Sequence, residues 1–229
     1  MRTLPKVKKI KAVLFDLGGT LVKTIHAHEI HRKILEAHGI NVPLDKITEA
    51  HGANQRELDV EEMARLGENY WIKWNLRMLE RLGIKENREF LARKIDELWW
   101  EYAELTAYPD VQETLANLSS KRIKMGIVTN GTEKDFKQIL QRLNLTNYFD
   151  IVVGVEACKK AKPHKEIFLH ALARLYVKPE EAIFVGDSFE YDYEGARKAG
   201  LKPILIDRDG KGLANVNSIR HLTELLKYV

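Results

Sequence analysis

The sequence predicts an α/β fold in which an all-helical block is inserted into a parallel-sheet core. Two observations carry that prediction. Short, wholly apolar runs recur at residues 12–15, 125–128, 151–153, 183–185 and 204–206, the pattern of strands buried on both faces. Between the later runs lie helical patterns at 111–118, 136–143, 167–175 and 196–199, with 222–226 closing the chain. Strand and helix alternate, so the sheet is expected to be parallel and Rossmann-like.

The interval from about 22 to 105 breaks the rhythm. It offers amphipathic helical stripes, Ile30, Ile34 and Leu35 in one and Ile72, Leu76 and Leu79 in another, and no convincing strand. Residues 1–21 and 106–229 are therefore expected to form the core and 22–105 a helical cap domain. The chain returns to the core near Tyr108-Pro109-Asp110. Trp71, Trp74, Trp99 and Trp100 all fall in the insert, where they either build its core or touch substrate.

Composition narrows the function classes. The 229 residues suffice for one large core and a smaller insert. Charged residues make up 31% with a balance of only +4, so neither nucleic acid nor a membrane is an expected partner. The basic run Lys6, Lys8, Lys9 and Lys11 leads straight into the first strand and reads as a solvated approach to it. A single cysteine, Cys158, excludes an internal disulfide and a cysteine-rich zinc site. With no apolar leader and no run near the roughly 20 apolar residues that span a bilayer, a cytoplasmic location is expected.

Four segments carry chemistry. In Val13-Leu14-Phe15-Asp16-Leu17-Gly18-Gly19-Thr20 a buried strand ends in a carboxylate, where open α/β sheets place their ligands; an aspartate opening a turn would look similar. In 126–132 a second strand runs into Thr129-Asn130-Gly131 ahead of a helix starting near Glu133. A hydroxyl and backbone N–H groups there suit phosphate oxygens, and Thr132 suits the helix cap. Lys162 stands before Pro163 and just ahead of a helix, able to neutralise a phosphate. Finally, 183–186 delivers Asp187 to a strand tip with Asp192 five residues on, hard oxygen donors suited to magnesium.

Asp16, Thr129, Lys162 and Asp187, in this order, resemble the four motifs of the haloacid dehalogenase-like superfamily, and the helical insert looks like its smaller type of cap. The likeness rests on Asp16-x3-Thr20, Lys162-Pro163 and Gly186-Asp187-x4-Asp192 and spans essentially the whole chain. It implies Asp16 as nucleophile and metal ligand, with Thr129, Asn130, Gly131 and Lys162 holding the transferring phosphoryl group. It further implies Mg2+ on Asp187 and the Gly18 backbone carbonyl, with Thr20 and Asp192 in support. The implied activity is hydrolysis of a small phosphorylated metabolite through an aspartyl phosphate, the cap excluding water and choosing the leaving group.

One position departs from the pattern. Phosphatases of this family carry a second aspartate two residues after the nucleophile as general acid and base; here it is Gly18. His26 and His28 follow closely and are candidate substitutes. Three other readings stand beside the phosphatase: a phospho-ligand-binding or regulatory protein with weak turnover, a hydrolase of C–P or C–halogen bonds, and a response-regulator receiver. The helical insert and Asp192 argue against the last.

Overall fold

In the computed structural model, residues 9–212 and 215–229 are described; Lys6 and Lys8 of the basic run lie outside them, and Lys11 pairs with Glu181 at 2.7 Å. In chain order the elements are β1 (Ala12–Phe15), β2 (Val22–Lys23), α1 (Ala27–Ala37), α2 (Leu44–Arg56), α3 (Val60–Leu66), α4 (Asn69–Arg81) and α5 (Arg88–Tyr102). They continue with β3 (Thr106–Ala107), α6 (Val111–Ser120), β4 (Lys124–Val128), α7 (Glu133–Arg142), β5 (Ile151–Val153) and α8 (Lys165–Leu175). The last are β6 (Ala182–Gly186), α9 (Gly195–Lys198), β7 (Lys202–Ile206) and β8 (Ser218–Ile219). Two compact units result, one holding the chain up to Val22 and from Ala107 onward, the other Lys23–Thr106.

The first unit is built on a six-stranded sheet of order β5-β4-β1-β6-β7-β8, with parallel pairing throughout. All four residues of β1 are fully buried, which is why the run is apolar without alternation. Ala12 and Leu14 share one cluster with Ile167, Phe168 and Ala196 from α8 and α9. From β1 the sheet grows to β4 and β5 on one side and to β6, β7 and β8 on the other, so β1 lies at the switch point where such sheets bind ligands. Phe15 is level with Ile127 of β4 and Val185 of β6. The first residues past the three adjacent strands, Asp16, Thr129 and Asp187, therefore emerge at the same end of the sheet, the last two one step further along.

The second unit holds α1 to α5. Its α4 packs against α2, α3 and α5, and this sandwiching shifts the buried face from the stripe expected. Tyr70, Trp74, Asn75, Met78 and Leu79 are buried, while Ile72 and Leu76 are only half-buried. Of the four tryptophans, Trp74 is the one fully enclosed. The closing segment is a 3-10 helix, Leu222–Lys227, rather than an α-helix, and β2, at the start of the stretch expected to hold no strand, pairs with β3, just past its end, in a separate two-stranded sheet. Among the described residues no helix is long and apolar enough to cross a membrane.

Inside the helical unit, the buried His31 donates from Nδ1 to the Ala27 carbonyl at 2.8 Å, and its Nε2 stands 3.3 Å from Asn75 Oδ1. Burial, outweighing both contacts, lowers its pKa to about 4. His31 is neutral in both states above about pH 6.5; below that the unfolded chain takes up a proton that the folded one refuses. Stability is therefore complete above pH 6.5 and lost between pH 6.5 and 4, approaching about 3 kcal/mol. Urea unfolding of wild type and His31→Gln from pH 4 to 8 reads this: the difference between them must depend on pH.

Candidate active site

Asp16 is 7% exposed, and both its oxygens are engaged. Lys162 Nζ donates to Oδ1 at 2.6 Å and Thr20 Oγ1 to Oδ2 at 3.2 Å. The hydroxyl reaches back because the chain turns tightly after β1: Leu21 and Val22 N–H donate to the Leu17 carbonyl, and Gly19 N–H to the Val22 carbonyl. Gly19 has φ +74°, and a Cβ there would fall 2.3 Å from Asp187 Oδ2. Only glycine lets this loop lie against that carboxylate.

Lys162 is 3% exposed and lies between two carboxylates, its Nζ also 2.6 Å from Asp192 Oδ1. Asp192 Oδ2 accepts from Ser188 N–H at 3.0 Å, so the partner of the lysine is itself fixed. Asn130 clamps the lysine backbone: Lys162 N–H donates to Asn130 Oδ1 at 2.7 Å and Asn130 Nδ2 to the Lys162 carbonyl at 3.1 Å. That side chain is therefore committed to the lysine, leaving only the Asn130 backbone N–H to serve a phosphate. Thr129 Oγ1 accepts from Gly131 N–H at 3.0 Å, which leaves the hydroxyl proton for another acceptor.

The electrostatics follow from crowding. Burial raises the pKa of Asp16 to about 7 against the pull of Lys162, with Asp192 and Asp187 adding to the rise. Burial alone would lower Lys162; Asp16 and Asp192 outweigh it and hold the ammonium above the ordinary lysine range. Asp187 is the most open of the three carboxylates, yet the protein around it and then Asp192 raise it to about 6.

Oxygens of Asp16, Asp187 and Asp192 lie within 4.8 Å of one another, with Lys162 as their bonded cation. Three carboxylates against one ammonium leave a local deficit of two positive charges. An all-oxygen donor set with that deficit fits a hard divalent cation such as magnesium. Lys162 and Ser188 hold the two Asp192 oxygens, and Lys162 and Thr20 the two Asp16 oxygens; Asp187, the exposed member, is the carboxylate most open to such a cation.

The structure thus brings Asp16, Thr20, Lys162, Asp187 and Asp192 into one cluster and ties the Thr129–Gly131 loop to it through Asn130. His26 and His28 lie in the helical unit, their rings stacked at 5.2 Å, with His26 N–H donating to Glu29 Oε2 at 3.3 Å.

Residues 13–206 match the haloacid dehalogenase-like hydrolase family. The chain belongs to that family. It is 35% identical to the glyceraldehyde 3-phosphate phosphatase of Methanopyrus kandleri, over 87% of this chain and 84% of that one. It is 30% identical to the phosphorylated carbohydrates phosphatase of Thermotoga maritima, over 92% and 93%. Among solved structures, the 2-haloacid dehalogenase from Pseudomonas syringae pv. Tomato DC3000 superposes with a TM-score of 0.72 at 28% identity, covering 95% of this chain and 97% of that one.

For this haloacid dehalogenase-like hydrolase, sequence reasoning missed the clamp made by Asn130, the Ser188 N–H under Asp192, and Arg208. Arg208 follows directly on β7 and Asp207. A polar residue just past a parallel strand's carboxyl end was the available signal.

Proposed function

We propose that this hydrolase is a magnesium-dependent, cytoplasmic phosphatase that cleaves a small phosphorylated carbohydrate through an aspartyl phosphate on Asp16. One observation carries the reading: Asp16 and Lys162 are buried together at the sheet's switch point, with Asp187 beside them at the adjoining strand tip. The two relatives above, named for phosphatase action on glyceraldehyde 3-phosphate and on phosphorylated carbohydrates, support the substrate class.

Asp16, Asp187 and the Gly18 carbonyl would hold the cation. Bound there, magnesium supplies the positive charge that lets a phosphate dianion approach an anionic nucleophile. The Asp16 carboxylate attacks phosphorus; the oxygen–phosphorus bond to Asp16 forms as the ester bond to the sugar oxygen breaks. Lys162, the Thr129 hydroxyl and the Asn130 backbone N–H receive the phosphoryl oxygens, the Gly131 N–H being given to Thr129 Oγ1, while Thr20 and Asp192 hold the nucleophile and the lysine in place. Water then cleaves the aspartyl phosphate, releasing phosphate and restoring Asp16. The sugar oxygen must gain a proton as it leaves. Position 18 offers no side chain to give it, and His26 and His28 remain the candidates.

A panel of phosphorylated carbohydrates assayed with and without chelator tests the reading. Turnover is expected to fall roughly 10²-fold or more on chelation and to return with magnesium. Asp187→Asn is expected to raise the magnesium concentration needed. Full activity in chelator would sink the proposal. Gly18 favours a second reading, a phospho-ligand binder with little turnover, which the same panel exposes as magnesium-dependent binding without product.

A further inference from the structure

Arg208 ties together the two stretches of core through which the chain leaves for the helical unit and comes back. Its Nη2 donates to the Thr20 carbonyl at 2.7 Å. The same guanidinium makes a two-pronged ion pair with Asp110, Nη1 to Oδ2 at 3.0 Å and Nη2 to Oδ1 at 3.2 Å. Its plane rests on the Tyr108 ring, 3.6 Å from the centroid. Asp110 also accepts from Leu222 N–H at 2.7 Å. Burial would raise this carboxyl, but Arg208 and that N–H hold it below the usual carboxylate range. Tyr108 N–H donates to the Leu21 carbonyl at 3.1 Å, so the two stretches are joined by backbone as well.

Thr20 is the link to the chemistry. Its carbonyl is gripped by Arg208, and its hydroxyl donates to Asp16 Oδ2. The residue is fully buried and sits at the end of a loop containing Gly18 and Gly19, the two residues least able to hold their own backbone torsions. Without an external anchor, the direction of the Thr20 hydroxyl would follow the freedom of that loop. An arginine suits the anchoring task because its planar fork meets two carboxylate oxygens and a carbonyl at once, and a lysine cannot.

We propose that Arg208 is a positioning residue for the nucleophile: by fixing the Thr20 carbonyl it aims the Thr20 hydroxyl, and thereby sets which way the Asp16 carboxylate faces. The inference rests on Asp16 as nucleophile. Arg208 need touch neither substrate nor metal.

Its kinetic signature is a fall in kcat with KM little changed, because substrate still binds while the attacking oxygen is poorly aimed. Arg208→Gln is expected to lower kcat by about 10- to 100-fold with KM within about threefold, and Arg208→Lys to recover part of the loss. Thr20→Val is expected to fall similarly, and the double variant to be no worse than the poorer single one, since both interrupt one path. Leu225→Ala, a buried side chain of the C-terminal 3-10 helix, provides the control: a lowered Tm with kcat within about twofold.

Unchanged kcat in Arg208→Lys and Arg208→Gln would overturn the proposal. So would losses that multiply in the double variant, or losses that merely track Tm as in Leu225→Ala. Should Arg208→Gln not fold, Arg208→Lys with its own double variant carries the same decision. Asp16→Asn run in parallel separates the two readings: if it keeps activity the nucleophile assignment fails, whereas if it is dead and the Arg208 variants are normal only the positioning role fails.

Discussion

Asp16→Asn is expected to lower kcat by at least about 10³-fold, because an amide cannot form the acyl phosphate and no neighbouring group occupies its place. The same change is expected to raise thermal stability in magnesium-free buffer at neutral pH. In the wild type three carboxylates crowd around one ammonium, and burial has pushed the Asp16 carboxyl up to about 7. The amide removes one of those charges, keeps an oxygen toward Lys162, and leaves the lysine its pairing with Asp192 at 2.6 Å. Loss of turnover with a gain in Tm marks a residue kept for chemistry at the expense of the fold. Calorimetry without metal, beside a kcat measurement with it, reads both. A variant that keeps full kcat would end the nucleophile assignment, and a lower Tm would end the account of charge crowding.

Gly18→Asp has the second largest expected effect, and in the opposite direction. A Cβ built at Gly18 meets nothing within 4 Å, and the residue does not occupy the left-handed region that Gly19 does. An aspartate therefore fits without strain, two residues beyond the nucleophile. A placed acid and base contributes about 10²- to 10⁴-fold, so kcat on an unactivated sugar phosphate is expected to rise on the order of 10². An aryl phosphate, whose leaving group needs no proton, is expected to gain much less. Equal, negligible gains on both substrates would mean that the natural enzyme already has its proton donor, and His26→Ala and His28→Ala would be the next variants.

Much of the core was legible because parallel strands buried on both faces leave a run of apolar residues with no alternation. β1, the chemistry-bearing end of β4 and the tip of β6 could thus be placed, and with them Asp16, Thr129 and Asp187. Lys162 was legible only through its place in the series of motifs; nothing local announces a buried cation. The amphipathic stripe of α4 misled because the helix is packed by three others, so period alone could not say which face closes. β8 escaped because two residues at a sheet edge, Ser218 and Ile219, carry almost no pattern. Arg208 escaped for a different reason. Its partners Thr20 and Asp110 lie far off in the chain, and a fork-shaped ion pair leaves no trace in local spacing.

The position of β1 also bears on how the protein is made. Ala12 pairs with Lys124 and with Ala182, so the strand that leads to Asp16 leaves the ribosome long before either neighbour exists. The helical unit is synthesised next, and its contacts are local enough to form on their own. Until β4 and β6 follow, an apolar strand waits unpaired. Nascent chains halted before Lys124 should therefore protect the helices from protease while leaving residues 12–15 open to chaperones, and the active site should appear only after Lys162, Asp187 and Asp192 have been made.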